Sequence, residues 1–422
     1  MRHRFALLLF IAIPVAAQEA GDSQASIARI LQRMDALEQQ NRELLQEVCA
    51  LKQEVEASRG HPTTASSGSS QPEPSLRDRV TVNEHRIAEQ AQTKVEASQK
   101  FPISLDGMLL FNAFANSATS DYEDASEYGL LSGPNRSGAT VRQTLLGLEF
   151  QGPALPGGGR VNGSLMMDFW GGSSIPSAGW LRLRRGGVSL DWKNRSIFVG
   201  QDKPLISPFQ PDSLAEVGIP PLAGAGNLWL WLPQARYEER IHLDASSGFT
   251  AQVALMQTGE NYANVPAQYS NSLEMARPAL ETRFAFWHKF DDVRRVEFGS
   301  GFHTSSTHVA GVSVPSYIGS LDWHIVPSSK IGFTGTVYTG QNVASLGALG
   351  NGFTILQNGT ARPVHSSGGW TQLSFPLMER LTLNLFGGIE DDRRAYSAYS
   401  IVHDLTYASN VMYHIGPNVV VS

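Results

Sequence analysis

Arginines recur at alternating positions within apolar segments of this 422-residue sequence. In residues 179–192, "GWLRLRRGGVSLDW", Leu181 and Leu183 fall on one face of an extended chain, and Arg182 and Arg184 fall on the other. Guanidinium groups in such a row can do two kinds of chemistry. They can form ion pairs with carboxylates, or they can attract anions.

The same reasoning gives eight basic candidates for a functional site. They are Arg142, Arg182, Arg184, Arg185, Lys203, Arg236, Arg240 and Arg283. Glu238 shares the phase of Arg240, and Glu281 shares the phase of Arg283, so part of this charge is predicted to be paired. One interpretation is a network of ion pairs that braces a wall. The other is a cationic stripe that attracts anionic solutes, as rings of Arg and Lys do in anion-selective pores.

Motifs of enzymes do not accompany these residues. The sequence contains no GxSxG elbow, no phosphate-binding loop of the GxxxxGK[ST] type and no HExxH helix. His303 and His308 flank a Ser/Thr-rich segment, and the first long connection is acidic from Asp121 to Glu127. Both features are interpreted as solvated side chains in preference to metal ligands. We therefore predict no enzyme activity, no cofactor and no metal site.

The elements that carry the basic residues have the pattern of a transmembrane β-barrel. From Phe101 onwards, segments of about ten alternating residues are separated by turn residues. The predicted strands are 103–114, 139–151, 160–169, 179–190, 195–202, 234–244, 248–257, 278–289, 294–303, 315–326, 330–340, 368–376, 380–390 and 403–414. An arginine on the lipid face costs roughly 2–4 kcal/mol at mid-depth, so the candidates are expected to face the lumen.

Long and short connections alternate between these strands. The long ones are 115–138, 170–178, 203–233, 258–277, 304–314, 341–367 and 391–402. The short ones include "DWKN" and "FDDV". Short periplasmic turns and longer outer loops are typical of an outer-membrane barrel, whereas a soluble all-β fold, the alternative, has no reason to keep this alternation.

The third long connection, residues 203–233, is too apolar for a solvated loop. It contains many prolines together with Trp229 and Trp231. We predict that it packs inside the barrel and narrows it, so that Lys203, Asp212 and Glu216 approach the arginines on the wall.

Strand phase also predicts an irregularity in the opening segment. Val188 and Leu190 are apolar on the same parity as Arg182 and Arg184. A β-bulge at residues 185–187 would resolve this conflict and turn Arg185 inward as well.

The C-terminal residues turn at 416–418 and begin a fifteenth strand. An open barrel would leave unpaired strand edges in lipid. The predicted fold is therefore an all-β transmembrane barrel of about 16 antiparallel strands, from which the C-terminal strands are missing, preceded by an α-helical coiled coil.

The N-terminal hundred residues divide into four parts. Residues 1–17 are predicted to be a secretory signal peptide, because a short apolar core follows basic residues and precedes small ones; an uncleaved anchor is the alternative. Residues 18–59 repeat apolar positions every three and four residues, which favours a periplasmic coiled coil over an amphipathic helix. Residues 60–75 form a Gly/Pro/Ser/Thr linker, residues 76–100 a second short helix, and residues 101–422 the barrel.

The coiled coil also bears on assembly. Asn41 at a core position is common in dimers, but Leu31 and Leu45 widen the apolar stripe, and on that ground we favour a trimer. Cys49, the single cysteine, falls on the outward side. The net charge of −6 gives no sign of a nucleic-acid partner.

Several segments resemble the DcaP-like trimeric outer-membrane porins. They are "EQAQTKVEASQKFPISLDGMLLFNAF" (89–114), "WLRLRRGGVSLDW" (180–192), "VGQDKPLISP" (199–208) and "SLAEVGIPPLAGAGNLWLWLPQARYEER" (213–240). The resemblance implies a 16-stranded homotrimer in outer-membrane lipid that passes small anionic solutes, including dicarboxylates, through an arginine-lined constriction. It implies that Arg182, Arg184 and Arg185 line this constriction.

The sequence thus predicts an outer-membrane porin for passive diffusion of small anions. A phosphate-selective porin has the same architecture and is an alternative that the sequence does not exclude. A second alternative is a structural tether, in which the coiled coil spans the periplasm and the barrel only anchors it. An outer-membrane hydrolase would need a site that the sequence does not display.

Overall fold

The computed structural model describes residues 102–130, 132–172, 179–259, 276–309, 311–350, 352–356, 358–393 and 401–422. The predicted signal peptide, coiled coil, linker and second helix lie outside these residues. Within them, no helix has the length and apolar character needed to cross a membrane.

One antiparallel sheet of 15 strands dominates the described residues. Its strands, in hydrogen-bonded order, are β1 (Ile103–Met108), β4 (Leu145–Leu155), β5 (Gly159–Gly171), β6 (Trp180–Asp191), β7 (Arg195–Asp202), β8 (Leu232–His242), β9 (Ser247–Gly259), β10 (Ala276–Lys289), β11 (Arg295–Val309), β12 (Val312–Ser328), β13 (Ile331–Gln341), β16 (His365–Met378), β17 (Leu381–Arg393), β18 (His403–Gly416) and β19 (Val419–Val421). Two small hairpins, β2 (Asn112–Asn116) with β3 (Arg136–Thr140) and β14 (Phe353–Ile355) with β15 (Ala361–Pro363), and a 3-10 helix (Ala344–Leu346) complete the set.

The predicted strands are confirmed as antiparallel strands of this sheet, and β19 is the predicted fifteenth strand. The first two predicted strands are each interrupted. Gly107 has a φ of 143°, and the chain leaves the ladder after β1. Leu110 then points inward and donates its backbone N–H to Thr144 Oγ1 at 3.0 Å, while Leu109 and Phe111 point outward. The chain therefore divides into β1 and β2, and its partner divides into β3 and β4.

The long connection predicted at 304–314 is wrong. β11 continues to Val309, β12 begins at Val312, and the two strands pair along their whole length. The Ser and Thr residues of this segment are strand residues, because the inner face of the sheet accepts polar side chains and β-branched Thr favours an extended chain.

The two faces of the sheet differ in polarity. Apolar side chains such as Val199, Leu255 and Leu321 are exposed on the outer face. Polar and charged side chains, including Glu281 and Asp322, are buried on the inner face. Lipid-facing and lumen-facing residues alternate in this way in outer-membrane barrels.

The irregularity predicted in β6 is confirmed, one residue earlier than expected. Met167 pairs with Leu183 and Met166 pairs with Arg185, so Arg184 is the extra residue of a bulge. The side chains of Arg182 and Arg184 therefore lie on the inner face, and the bulge places Arg185 on the inner face as well. Leu183 before the bulge and Val188 after it both remain exposed on the outer face.

The sheet curves around the segment that joins β7 to β8, residues 203–231, which we call the inward segment. Asp212 of this segment accepts a hydrogen bond from Asn410 of β18, and Ala215 accepts one from Asn112 of β2. One short stretch of chain therefore contacts both β18, near one end of the sheet, and the β2–β3 hairpin, which continues the chain segments of β1 and β4. Among the described residues, no hydrogen-bonded ladder joins the edge strands β1 and β19.

Candidate functional site

Hydrogen bonds along the inward segment fix it to strands of the sheet. Leu205 donates its backbone N–H to Glu281 of β10 at 2.6 Å, and Asp212 donates its N–H to Gln372 of β16 at 2.7 Å. Gly226 has a φ of 94° and lies against the backbone of Gly369 in β16, where a side chain would collide. The predicted packing of this connection inside the sheet is confirmed.

Apolar side chains fill the space between the inward segment and strands β8 to β13. Leu205, Ile206 and Leu228 of the segment form one buried cluster with residues such as Ala254 and Ile318. Burial of these apolar side chains holds the segment against strands β8 to β13 and excludes water there.

On the opposite side, β5 to β8 present a charged surface to the same segment. We call this surface the basic wall. It consists of Arg182, Arg184, Arg185, Arg236 and Lys203, together with the carboxylates of Asp168 and Asp202.

Asp168 of β5 holds two arginines of β6. Arg182 donates Nε and Nη2 to its two oxygens at 3.0 and 2.6 Å, and Arg184 donates Nη1 at 3.3 Å. Each arginine also donates to a carbonyl of the inward segment, Arg182 to Gly218 at 2.5 Å and Arg184 to Val217 at 2.7 Å. Both guanidinium groups lie over the ring of Trp231, at 5.3 and 4.5 Å. They tie the segment to the wall.

Asp202, at the end of β7, is shared by two further arginines. Arg185 donates Nε to one oxygen at 2.7 Å, and Arg236 donates Nη1 to the other at 3.3 Å. Arg236 also lies over Phe198 at 4.9 Å. The Arg185 side chain stays 45% exposed, so its remaining N–H groups face open space.

Lys203 begins the inward segment and differs from these arginines. Its carbonyl accepts a hydrogen bond from Gln234 at 2.9 Å, which fixes the backbone. Burial and the charge of Arg185 lower the pKa of Lys203 to about 8. Among the described residues, no carboxylate lies within ion-pair distance of its ammonium group.

The basic wall therefore carries a surplus of positive charge. Five cationic side chains share two carboxylates, so the net charge of these seven groups is +3, although each of the four arginines contacts a carboxylate. The low dielectric of the surrounding protein strengthens the field of such a surplus.

The other three candidates pair with carboxylates that do not belong to the basic wall. Arg142 is in the turn between β3 and β4, not in a strand, and forms a buried ion pair of 2.5 Å with Asp124. Arg240 pairs with Glu238 at 2.6 Å, as the shared phase predicts. Arg283 of β10 pairs with Asp322 and Glu297 at 2.6 and 2.8 Å.

Three acidic residues do not meet the arginines that the sequence predicts for them. Glu281 does not meet Arg283; its carboxylate accepts from Leu205 and lies 2.8 Å from His303 Nδ1. Asp212 meets Gln372, and Glu216 forms no ion pair with an arginine among the described residues. Burial, with the charge of Asp121, raises the pKa of Glu216 to about 7. The inward segment meets the arginines with carbonyl oxygens, because Val217 and Gly218 lie closer to them.

Sequence reasoning did not identify the carboxylates that hold these arginines. Asp168 and Asp202 lie on the inward phase of β5 and β7, and Asp168 is directly opposite Arg182 in the ladder. A search for acidic residues opposite each arginine would have found Asp168. Among the described residues, no group of three or more His, Cys, Asp or Glu side chains could hold a metal ion.

Comparison with solved structures gives the fold of the chain. The outer membrane channel DcaP of Acinetobacter baumannii matches with a TM-score of 0.59 and 15% identity, over 74% of this chain and 87% of that one. An anion-selective porin from Comamonas acidovorans matches with a TM-score of 0.50 and 13% identity, over 75% and 85%. The chain shares its fold with these porins. No protein-family model and no curated protein sequence matches it.

The resemblance of the sequence motifs to DcaP-like porins is thus confirmed as a likeness of fold. In outer-membrane porins the space inside the sheet is a polar channel. The basic wall and the inward segment lie on this inner side.

Proposed function

We propose that the chain is an outer-membrane porin through which small anionic solutes, such as dicarboxylates, diffuse passively. The positive surplus of the basic wall, next to the segment that narrows the lumen, carries this proposal. Cations that line a constriction raise the local concentration of anions and lower that of cations. No covalent step is part of this function.

The proposed mechanism divides the work between two features. The inward segment sets the size limit, because it crosses the lumen and is anchored on β10, β16 and β18. The basic wall sets the charge preference. Arg142, Arg240 and Arg283 each have at least one carboxylate of their own, whereas in the basic wall two arginines share each carboxylate. These three arginines therefore contribute less to the charge preference than the basic wall does.

We further propose a homotrimer in the outer membrane, with residues 18–59 as a periplasmic coiled coil. The outer face of the sheet, with exposed Leu255 and Leu321, suits lipid or a neighbouring subunit. Crosslinking of the full chain in native outer membranes should give a trimer, and removal of residues 18–59 will show whether the coiled coil or the barrel holds it.

Conductance of the full-length protein in a planar lipid bilayer tests the pore. We expect steps in multiples of three and a reversal potential of the sign for anions in a KCl gradient. Barrels that insert but do not conduct would leave the structural tether as the function. A preference for cations would overturn the anion porin.

Competition between added anions and chloride in the same bilayer identifies the class of solute. Succinate added to one side is expected to reduce the chloride current, because its two carboxylates can contact Lys203 and the exposed Arg185 together. Stronger reduction by inorganic phosphate would instead identify a phosphate-selective porin.

A further inference from the structure

The cations of the basic wall are not equivalent. Arg182 and Arg184 are committed to Asp168 and to two carbonyls of the inward segment, and Arg185 and Arg236 share Asp202. Lys203 alone in this wall has no carboxylate partner within the described residues. Among the described residues its ammonium group has no hydrogen-bond acceptor, so its three N–H groups are not committed to the protein.

The position of Lys203 is fixed even though its ammonium group is free. The residues on either side of it, Asp202 and Pro204, are buried, and Gln234 of β8 holds its carbonyl. The side chain itself is half-buried. A free cation on a fixed backbone at the base of the inward segment is placed to act on solutes that pass this segment.

Charges of both signs surround this lysine. Arg184 and Arg185 of β6 repel its proton, while Asp202 of β7 and Asp212 of the inward segment attract it. Burial is the largest influence, and together these groups bring the pKa of Lys203 to about 8. Lys203 is therefore charged at neutral pH and loses its charge in mildly alkaline solution, whereas the arginines do not.

We propose that Lys203 sets the anion selectivity of the lumen, that its deprotonation lowers this selectivity as the pH rises, and that Arg182 and Arg184 mainly position the inward segment. The inference rests on the proposed porin function. A unit charge about 7 Å from a passing ion in water changes the local concentration of that ion roughly threefold. Anions and cations respond in opposite directions, so loss of the charge changes their permeability ratio by up to roughly tenfold.

Among the described residues outside the strands, two acidic groups also change charge near neutral pH and must be separated from Lys203. Burial raises the pKa of Glu127 and of Glu216 to about 7, so both gain negative charge as the pH rises. This change also disfavours anions, but it occurs at lower pH than the deprotonation of Lys203. Variants Glu127→Gln and Glu216→Gln remove it.

The test measures reversal potentials in a KCl gradient between about pH 6 and about pH 10 with the full-length protein. We expect the Glu127→Gln/Glu216→Gln protein to lose anion selectivity in one step near the pKa of Lys203. Adding Lys203→Arg should keep selectivity high across the range, because arginine stays protonated. Adding Lys203→Met should give low selectivity with no such step. Lys193→Met, at an exposed turn, is the control for loss of one lysine charge.

Each outcome has a separate meaning. An anion-selective channel in which Lys203→Met changes the permeability ratio no more than Lys193→Met overturns the role of Lys203 and leaves the porin function intact. A wild-type protein without anion preference at about pH 6 overturns the proposed function itself. A step that persists in Lys203→Arg assigns the titration to another group and also overturns the inference.

Discussion

The basic wall and the surface formed by β10 to β12 use arginine in opposite ways. In the basic wall, each carboxylate is shared by two arginines. On β10 to β12, a single Arg283 faces two carboxylates, Asp322 and Glu297. The first surface has spare positive charge, and the second has spare negative charge.

Exposure differs most between Arg283 and Arg185, whereas Arg184 of the basic wall is 8% exposed and also buried. The Arg283 side chain is 5% exposed, whereas that of Arg185 is 45% exposed. A buried guanidinium with two partners stabilises the wall and has nothing left for a solute. An exposed guanidinium that shares one carboxylate can act on solutes at little cost to stability. Residue type alone therefore does not decide between bracing and selectivity.

The largest difference between the two surfaces is expected in stability. Arg283→Met leaves the buried carboxylate of Asp322 without its partner, and breaking a buried pair costs about 3–5 kcal/mol. Arg185→Met leaves Asp202 paired with Arg236, and we expect a loss of about 1 kcal/mol or less. Reversible urea unfolding in lipid vesicles measures both free energies.

A double variant separates the charge from the packing. Arg283→Met/Asp322→Asn removes both charges, so we expect it to recover more than half of the loss. Equal losses in Arg283→Met and Arg185→Met would show that the two surfaces do not differ as described.

The sequence predicts the strands and the inward segment well because both depend on local pattern. Alternation of apolar residues defines β8 and β9, and the apolar composition of residues 203–231 excludes a solvated loop. Arg142 shows where local pattern fails. It alternates with Val141 as a strand residue would, but the ladder between β1 and β4 ends at the pair Met108 and Leu145, and Arg142 lies in the turn before it.

The ion pairs of the site are harder to predict, because they depend on register between strands. Arg283 pairs with Asp322, two strands away on β12, and not with Glu281 on its own strand. The bulge at Arg184 moves Arg185 to the inner face, where it reaches Asp202. Each pairing requires the register of a whole hairpin, and a shift of one residue would place these side chains on the outer face.

An intermediate loss of stability is expected when a residue of the β10 to β12 surface that anchors the inward segment is changed. In Glu281→Gln, the carboxylate that accepts from Leu205 and contacts His303 becomes a neutral amide. A hydrogen bond to a charged group is worth about 1.5–3 kcal/mol, and the amide retains part of this, so we expect a loss of about 1–2 kcal/mol. Single-channel current noise should also rise, because the segment is held less firmly.

Ser305→Ala is the matched control for Glu281→Gln. Ser305 Oγ lies 3.0 Å from the other ring nitrogen of His303, and among the described residues it forms no hydrogen bond with the inward segment. The variant should cost about 1 kcal/mol or less and leave the current noise unchanged. Increased noise in both variants would mean that His303, and not the bond to Leu205, steadies the segment.

The smallest effect is expected when the surplus of the basic wall is increased. Asp202→Asn removes the carboxylate shared by Arg185 and Arg236 and adds one uncompensated positive charge. We expect the anion-to-cation permeability ratio to rise by a few-fold, which corresponds to about 0.6 kcal/mol per ion at about 7 Å in water. Reversal potentials in a KCl gradient measure this ratio.

The same variant has a second consequence, because Asp202 attracts the proton of Lys203. Without this carboxylate, the pKa of Lys203 falls further below its usual range, so its charge is lost at lower pH. Asp202→Asn should therefore be more anion-selective than the wild type in mildly acidic solution, and its selectivity should begin to decline at lower pH. A rise in selectivity with an unchanged pH dependence would mean that Asp202 does not influence the pKa of Lys203. A fall in selectivity would mean that Asp202 acts chiefly by holding Arg185 and Arg236 in place.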